Sequence, residues 1–438
     1  MLSSRLSMHV ASNASRILVS RKHAFQSAAL TVASQTSKIA VGFILIKLIA
    51  VYLGAGGMGL LGNFMSLVAM LSLMAGGGIS NGVIKYVAEY KKQPRRLAEF
   101  IGSAKLYSLL FCTFFCIVGV CFSRDISGYI FKSEEYYKII VFLFFAQFGF
   151  AFVNLVCGVA NGLRDTKTYA LIQISGNVLV VPISWFLIGF YQLVGAAISM
   201  VLMFLIYSIP AYFFYRRSFF FRAKIKTKIN ALAIRRLSVF TSMALVGAVS
   251  VPLIEILVRQ QIINHIGYAS AGIWQGAIKV SSAYMGFFTI FLAVYFMPTI
   301  SGSNNRKEIA SLVLRFMAVV MFVFLFGASI FFLLRVQIIP IILSSEFESL
   351  ESLIKYQLIA DFFRVSTYVI GFVVIAKAAL KIYIVSELLQ GIFFFSASSI
   401  FLNLGLGLKG VFLATLLMNI VYFVVAVSGF FLYRRREV

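Results

Sequence analysis

Long apolar runs, separated by short polar or basic segments, make up almost the whole chain. A helix of roughly 20 apolar residues can cross a hydrocarbon core about 30 Å thick, and about twelve runs have this length. A membrane β-barrel would instead show short segments that alternate between apolar and polar residues. The pattern therefore predicts an all-α membrane protein. The predicted spans are 33–53, 57–78, 102–123, 138–162, 169–190, 192–215, 237–258, 270–297, 309–334, 353–376, 380–403 and 408–433.

The composition agrees with a protein whose surface faces lipid. The chain has 438 residues, of which 61% are hydrophobic and 12% charged, and its mean hydropathy is +0.97. Soluble domains carry about 25% charged residues. The formal net charge of +25 comes from 39 Lys and Arg against 14 Asp and Glu. In a membrane protein this charge indicates anionic lipid and an anionic substrate as partners, and not nucleic acid.

Lys and Arg are distributed unevenly over the segments between the spans. If the N-terminus is cytoplasmic, most of the 39 basic residues fall in cytoplasmic segments. The opposite side then holds only a few, among them Arg124, Lys132 and Arg259. Because positive charge collects on the cytoplasmic side of membrane proteins, the bias predicts that both termini are cytoplasmic.

The most basic segment separates the spans into two groups of six. The peptides GMGLLGNF (57–64) and SAGIWQGA (270–277) hold matching positions in the two groups, as do VANGLRDTKTY (159–169) and VIAKAALKIY (374–383). Two related halves around a central cavity are a common transporter plan. The predicted units are a cytoplasmic N-terminal tail (1–27), a first six-helix half (28–215), a basic cytoplasmic linker (216–236), a second six-helix half (237–433) and a C-terminal tail (434–438).

No motif of the chain indicates an enzyme or a nucleotide-binding protein. Gly57, Gly59 and Gly62 form a GxGxxG pattern, but dinucleotide binding requires a preceding strand, a soluble βαβ unit and a later acidic residue. Close packing of helices through small residues explains these glycines better. The chain has no Walker-type motif, only three histidines, and four cysteines without a CxxC pair. We therefore expect no catalytic residue, metal or cofactor.

A basic amphipathic segment, GGGISNGVIKYVAEYKKQPRR (76–96), follows the second predicted span. Its pattern predicts a helix at a membrane surface. Asn81 and Lys85 are one helical turn apart, and Lys85 can reach a lipid phosphate there. The alternative is that such lysines only orient the protein. The apolar face consists of Val83, Tyr86, Val87 and Tyr90.

Charged residues inside spans are rare because they lose water, and they usually mark a cavity, a substrate path or an ion pair. Glu255 and Arg259 are four residues apart and Asp361 and Arg364 are three apart, so each pair can neutralise itself. Lys47 and Lys279 have no such neighbour and predict a cationic cavity; the alternative is that both reach the membrane surface. The charged residues within the spans are Lys47, Glu255, Lys279, Asp361, Arg364 and Glu387.

A cationic cavity suits an anionic substrate that has to cross hydrocarbon. Phosphates and sugars lose water there, and Lys or Arg can replace the lost donors and supply the opposite charge. Trp274 and Gln275 can stack on and hydrogen-bond to sugar rings, although Trp274 could equally anchor the protein at the membrane interface. Glu255 or Asp361, if desolvated, can carry a coupling proton. Proton, sodium and no coupling all stay open.

Several peptides, in this order and spacing, are similar to those of one transporter family. From about residue 30 to the C-terminus, the chain resembles the bacterial flippases for lipid-linked oligosaccharides. These include the O-antigen translocases and the enterobacterial common antigen lipid III flippases, in a superfamily that also contains the MATE drug exporters. The peptides are SKIAVGFILIKLIAVYLGAGGMGL (37–60), GISNGVIKYVAEY (78–90), GLRDTKTY (162–169), GIWQG (272–276), YFMPTIS (295–301), YQLIADFFRV (356–365) and VIAKAALKIYIVSE (374–387).

The resemblance implies a MATE-like fold and a function. Members move undecaprenyl-pyrophosphate-linked oligosaccharide from the cytoplasmic to the periplasmic leaflet of the inner membrane, by alternating access of two six-helix halves. Implied partners are this substrate, membrane lipids, and the glycan polymerase and chain-length regulator of the same pathway. The motif positions most worth testing are Asn81, Lys85, Arg164, Asp165, Gln275, Asp361, Lys377 and Lys381.

The predicted substrate-binding set combines motif positions with residues chosen for their charge or ring. Arg364 stands where the nearest relatives have Lys, which keeps the charge. Glu255 stands where they have an uncharged residue, so its role as an ion-coupling candidate beside Asp361 is the least supported. The N-terminal tail has no counterpart in the family. The predicted substrate-binding residues are Lys47, Asn81, Lys85, Arg164, Trp274, Gln275, Lys279, Arg364, Lys377 and Lys381.

Two alternative functions remain. A drug or cation exporter of the same fold should carry unpaired acids in the spans of the first half, yet every acidic residue before Glu255 lies outside a span core. A membrane scaffold without transport activity has no reason to keep Lys47, Lys279 and Arg364 within its spans.

Overall fold

The computed structural model describes residues 2–217, 231–302, 305–376 and 379–435, and helices make up nearly all of them. No strand occurs in these ranges, and the predicted fold class of an all-α membrane protein is confirmed. Lys377 and most of the predicted linker lie outside the described residues. The helices are α1 (Leu2–Met74), α2 (Ser80–Tyr90), α3 (Pro94–Cys121), α4 (Ser123–Phe131), α5 (Tyr137–Gly162), α6 (Thr166–Ile206), α7 (Ser208–Arg217), α8 (Ala231–Phe291), α9 (Met297–Gly302), α10 (Arg306–Leu333), α11 (Arg335–Ile342), α12 (Ser349–Ala376), α13 (Leu380–Asn403) and α14 (Gly407–Arg435).

Within the described part of the chain, nine helical stretches are long and apolar enough to cross a membrane. Helices α1, α6 and α8 each contain one residue whose backbone is not helical: Gly54, Gln192 and Gly267. Each break falls at or near the boundary between two consecutive predicted spans. The nine stretches therefore correspond to the predicted apolar runs, while the number of membrane crossings stays a prediction.

The order of short elements repeats along the chain. After a gap of one residue, α3 is followed by the short α4, a 3-10 turn and α5; α10 is followed in the same way by the short α11, a 3-10 turn and α12. Helix α10 begins at Arg306 and α3 at Pro94, while α11 begins at Arg335 and α4 at Ser123. The number of residues from the start of α3 to the start of α10 equals the number from the start of α4 to the start of α11. This constant offset supports the prediction of two related halves.

Helices α1 and α8 form the most extensive contact between the two predicted halves. The largest buried cluster takes Met58, Leu61 and Phe64 from α1 and Ile262 and Trp274 from α8. Apolar side chains that leave both lipid and water in this way stabilise the contact between the helices through close packing. The centre of the molecule is thus the contact between α1 and α8.

Helix α2 has the predicted amphipathic pattern but a different neighbour. Val83, Tyr86 and Val87 are buried, and a Cβ added at Gly162 of α5 would lie 2.7 Å from Cβ of Val87. The ring of Phe240, near the start of α8, lies 6.2 Å from the ring of Tyr86. The apolar face therefore contacts protein and not lipid, while the position of α2 at the membrane surface stays a prediction. Periodicity shows that a face is apolar but not what covers it.

Candidate functional site

Helices α1 and α8 each continue beyond a glycine with positive φ. Gly54 has φ 65° and ψ −170°, and Gly267 has φ 87° and ψ 174°, a backbone region that is almost restricted to glycine. Arg259, eight residues before Gly267, donates a hydrogen bond to Gln275, eight residues after it. The two segments of α8 therefore run side by side in opposite directions. Because a helix rises about 1.5 Å per residue, residues equally far from the break lie at similar depths.

The two helical hairpins contact each other backbone to backbone near their glycine breaks. A Cβ at Gly59 would lie 2.0 Å from the carbonyl oxygen of Tyr268, and a Cβ at Gly272 would lie 1.8 Å from that of Ala55. A Cβ at Gly62 would lie 2.4 Å from Nε of Arg259. The interpretation of the GxGxxG glycines as helix-packing residues is confirmed for Gly59 and Gly62; at Gly57 an added Cβ would meet Leu53 of its own helix. The halves are closed against each other at this end.

Lys47 strengthens the same closed end. Its Nζ donates hydrogen bonds to the carbonyl oxygens of Pro340 (2.8 Å) and Leu343 (2.7 Å), at the C-terminus of α11. Nearby, the amide of Ala55 donates to Oε2 of Glu346 at 2.8 Å. A cation suits a helix C-terminus, whose last carbonyls lack partners within the helix. Lys47 therefore links the first half to the second, and its ammonium contacts backbone carbonyls where the sequence predicted an open cavity.

Arg259 is fully buried between the two hairpins. Its Nη1 donates to Oδ1 of Asn63 (3.0 Å) and Oγ of Ser66 (3.3 Å) on α1, and its Nη2 donates to Oε1 of Gln275. Nη2 also lies 3.9 Å from Oε2 of Glu255, which confirms the predicted ion pair. Its assignment to a loop on the opposite side was wrong, because the helix continues to Gly267. Buried charges persist only when they are paired in this way.

Trp274 is buried beneath this guanidinium. The centre of the Arg259 guanidinium lies 5.3 Å from the Trp274 ring, and the ring stacks on Phe394 of α13 at 6.4 Å. Only 2% of Trp274 is exposed. The sequence predicted that Trp274 either stacks on sugar rings or anchors the protein at the membrane interface. A buried ring fits neither position. Trp274 instead contributes a cation–π contact to the buried arginine.

Asp361 of α12 is the centre of a second buried polar cluster. Its Oδ2 accepts hydrogen bonds from Ser281 Oγ (2.7 Å), Gln357 Nε2 (3.0 Å) and the Tyr284 hydroxyl. Its Oδ1 lies 3.7 Å from Nη1 of Arg364, which confirms the predicted pair. The carboxylate is fully buried, so this neutralisation is what makes its position tolerable.

Three basic side chains near these clusters keep exposed surface although they lie within the protein, and we interpret the space that they face as an internal cleft. Arg364 keeps 37% of its side-chain surface exposed although protein surrounds the residue. Lys279 is half-buried and Lys38 is exposed, and both are also surrounded by protein. Glu255, 25% exposed, adds a carboxylate to this wall and accepts a hydrogen bond from Ser66 at 3.1 Å. A wall with exposed ammonium and guanidinium groups can bind phosphate oxygens.

The other predicted site residues in the described part of the chain are exposed. Asn81 and Lys85 are on α2, and Lys85 Nζ lies 5.3 Å from the centre of the Tyr86 ring. Arg164 has a positive φ of 65° in the turn between α5 and α6. Asp165 accepts a hydrogen bond from the Thr168 amide at 3.1 Å and caps α6. The exposed residues are Asn81, Lys85, Arg164, Asp165 and Lys381.

The predicted residues thus separate into three groups. Lys279 and Arg364 face the cleft, while Gln275 and Asp361 lie buried beside it. Lys47 lies at the closed end, and a third group lies at the opposite ends of the helices. Sequence reasoning missed Lys38 and the central role of Arg259. It also left aside Glu387, which lies within electrostatic range of Arg364. For Arg259 the sequence did contain a signal. Arg259 lies as many residues before Gly267 as Gln275 lies after it, so a hairpin that turns at Gly267 brings the two together.

A helical membrane protein with two closely packed halves and charged groups on an internal cleft has the architecture of a membrane transporter. Comparison with known proteins agrees with this class. Residues 24–302 match the family model described as "Polysaccharide biosynthesis protein". The lipid III flippase of Escherichia coli (strain K12) is 33% identical over 415 residues, which cover 93% of this chain and 98% of that protein.

Solved structures show the same fold. One is titled as the inward-facing conformation of a multidrug resistance MATE family transporter of the MOP superfamily; its TM-score is 0.74 at 14% identity, over 94% of this chain and 100% of that chain. Another shows an outward-facing multidrug resistance MATE family transporter. Its TM-score is 0.63 at 16% identity, over 92% of this chain and 95% of that chain. The chain belongs to the polysaccharide biosynthesis protein family. It is a transporter with a MATE-like fold, and not an enzyme.

Proposed function

We propose that this protein is a flippase that moves an oligosaccharide linked to undecaprenyl pyrophosphate across the bacterial inner membrane, from the cytoplasmic to the periplasmic leaflet. The observation that carries the proposal is the internal cleft with Lys279 and Arg364 on its wall. A pyrophosphate loses its water in hydrocarbon, and basic groups at mid-depth replace part of that hydration. The similarity to a lipid III flippase along nearly the whole chain supports the same activity.

The packing of the halves favours an alternating-access mechanism. Backbone contacts and the Lys47 and Glu346 hydrogen bonds close the end near Gly54 and Gly267. With both termini cytoplasmic, as the charge bias predicts, this closed end is periplasmic and the cleft opens to the cytoplasm. Release of the substrate on the other side requires these contacts to separate. Lys85, Arg164 and Lys381, which are exposed away from the closed end, would then meet the anionic headgroup first.

Glu255 is the better coupling candidate of the two carboxylates. It is partly exposed to the cleft, so an ion can reach it, while Asp361 is enclosed by three hydrogen-bond donors and Arg364. Binding of a proton or a cation to Glu255 would weaken its pairing with Arg259 at the contact between the halves. This geometry links ion binding to the movement of the halves.

The proposal is tested by complementation of bacteria that lack their own flippase for a lipid-linked glycan, with an immunoblot of surface glycan. Lys279→Gln and Arg364→Gln should lower surface glycan by about tenfold or more, because each removes a charge-assisted contact to phosphate. Arg364→Lys should retain most of the activity. Lys92→Gln changes an exposed lysine outside the cleft and serves as the matched control.

The result separates the proposed site from the proposed activity. Restored glycan with wild type and with both glutamine variants would keep the flippase and reject the cleft residues. Failure of well-expressed wild type in strains for several glycans would contradict the flippase itself. The second candidate function is a drug or cation exporter of the same fold, for which the partly exposed Glu255 would be the acidic group that meets the cation. Efflux of cationic dyes that depends on Glu255 would support it.

A further inference from the structure

A long apolar groove runs along the outer surface between α13 and α14. Its volume is about 770 Å³, and Lys381 lies at one end of it. Most of the side chains that line it are exposed large hydrophobic residues. They include Val385, Leu389 and Phe393 of α13 and Val421 and Val425 of α14. These positions recur every three or four residues, so one stripe of each helix forms each wall.

The groove is longer than one leaflet of a membrane. Its lining on α13 extends from Lys381 to Ser396, which corresponds to about 22 Å of helix at 1.5 Å per residue. Half of a hydrocarbon core about 30 Å thick is only about 15 Å. An ordinary acyl chain that enters beside Lys381 ends near the midplane. A chain that fills the groove has to continue into the other leaflet, as a long polyprenyl chain can.

The groove also borders the polar interior. Tyr422 of α14 and Ser386 of α13 both line the groove. Tyr422 also lies within electrostatic range of Glu387, which in turn lies near Arg364 on the cleft wall. A flipped lipid has to keep its apolar tail in hydrocarbon while its polar head crosses inside the protein. A groove whose lining comes close to charged residues of the cleft meets this requirement.

We propose that the groove between α13 and α14 binds the polyprenyl tail of the substrate, with the Lys381 ammonium contacting its phosphate at the mouth. The proposal rests on the proposed function for the identity of the lipid. Methyl-branched isoprene units fit an apolar channel lined by branched Val and Leu side chains. Lys381 supplies the charge that complements a phosphate at the polar end.

Binding can be measured by native mass spectrometry on the full-length protein in nanodiscs. The probes are undecaprenyl phosphate, undecaprenol without phosphate, and dioleoyl phosphatidylglycerol. Leu389→Trp and Val421→Trp place a large ring in the groove and should weaken binding of both polyprenyl probes by about tenfold. Leu388→Trp and Val424→Trp are matched controls, because both residues are exposed on the same helices but do not line the groove. The controls should bind like wild type.

Lys381→Gln gives an independent readout. It should weaken binding of undecaprenyl phosphate by about tenfold and leave undecaprenol unchanged. Equal binding by groove variants and controls would overturn the proposal. So would displacement of undecaprenyl phosphate by an equal concentration of phosphatidylglycerol, since the groove would then hold bulk lipid.

The same variants distinguish the groove from the flippase activity. If wild type restores surface glycan and the groove variants restore it equally, the groove proposal fails and the function stands. If wild type binds polyprenyl phosphate in the groove but restores no glycan, the function fails and the groove stands.

Discussion

Arg259 is the residue through which the two halves share buried charge. It contacts Asn63 and Ser66 of the first half and Glu255 and Gln275 of the second. Its guanidinium is fully buried, and the hydrogen bonds of Nη1 and Nη2 replace part of its lost hydration, while Nε has no partner in the described part of the chain. Buried polar or charged groups that are left without a partner in such a site destabilise the protein. Arg259 therefore supports the cleft wall without facing it.

Arg259→Leu should lower the free energy of unfolding by about 3 kcal/mol, because Glu255 and the buried amides lose their partner. Thermal unfolding of the purified protein in detergent, followed by tryptophan fluorescence, measures the change. The double variant Arg259→Leu, Glu255→Gln should recover part of the loss, since no unpaired carboxylate remains. A single variant as stable as wild type would contradict the role given to Arg259.

At the scale of elements, two glycines allow the hairpins of α1 and α8 to meet. At Gly59 and Gly272 the backbone of one hairpin lies so close to a carbonyl oxygen of the other that any side chain would clash with it. Small residues at such contacts are how membrane helices pack closely when no hydrophobic effect drives them together. The contact must open and close if the halves alternate, so its fit affects both stability and transport.

Gly272→Ala should separate the hairpins, because its Cβ would lie 1.8 Å from the Ala55 carbonyl oxygen. We expect a loss of about 1–3 kcal/mol in stability and reduced surface glycan in the complementation assay. The matched control is Gly371→Ala on α12, where nothing lies within 4 Å of the added Cβ. Equal behaviour of the two variants would show that the hairpin contact carries no special requirement.

For the whole molecule, the contacts that join the halves near Gly54 and Gly267 define the conformation. Lys47 bridges to α11 across 293 residues of sequence, and Glu346 bridges back to Ala55. These hydrogen bonds form only when this end is closed. They therefore bias the equilibrium between the two conformations that alternating access requires.

Lys47→Met should shift this equilibrium toward opening. Spin labels on Tyr129 of α4 and Val336 of α11, both exposed at this end, report the separation of the halves by electron–electron resonance. A longer or broader distance distribution is expected. Lys138→Met, an exposed lysine near the same end, should leave the distribution unchanged. An unchanged distribution in Lys47→Met would contradict the bridging role.

The sequence alone determined the fold class, the positions of the apolar helices and the two local ion pairs. A helix needs about 20 apolar residues to cross hydrocarbon, and opposite charges within it can pair when they lie one helical turn apart. Both patterns can be read directly from the sequence. Tertiary structure alone decided that α2 is covered by protein, that Lys47 contacts α11, and that Arg259, Trp274 and Gln275 form one cluster. These contacts join residues that are distant in sequence. Their geometry depends on how the hairpins pack, which no local pattern records.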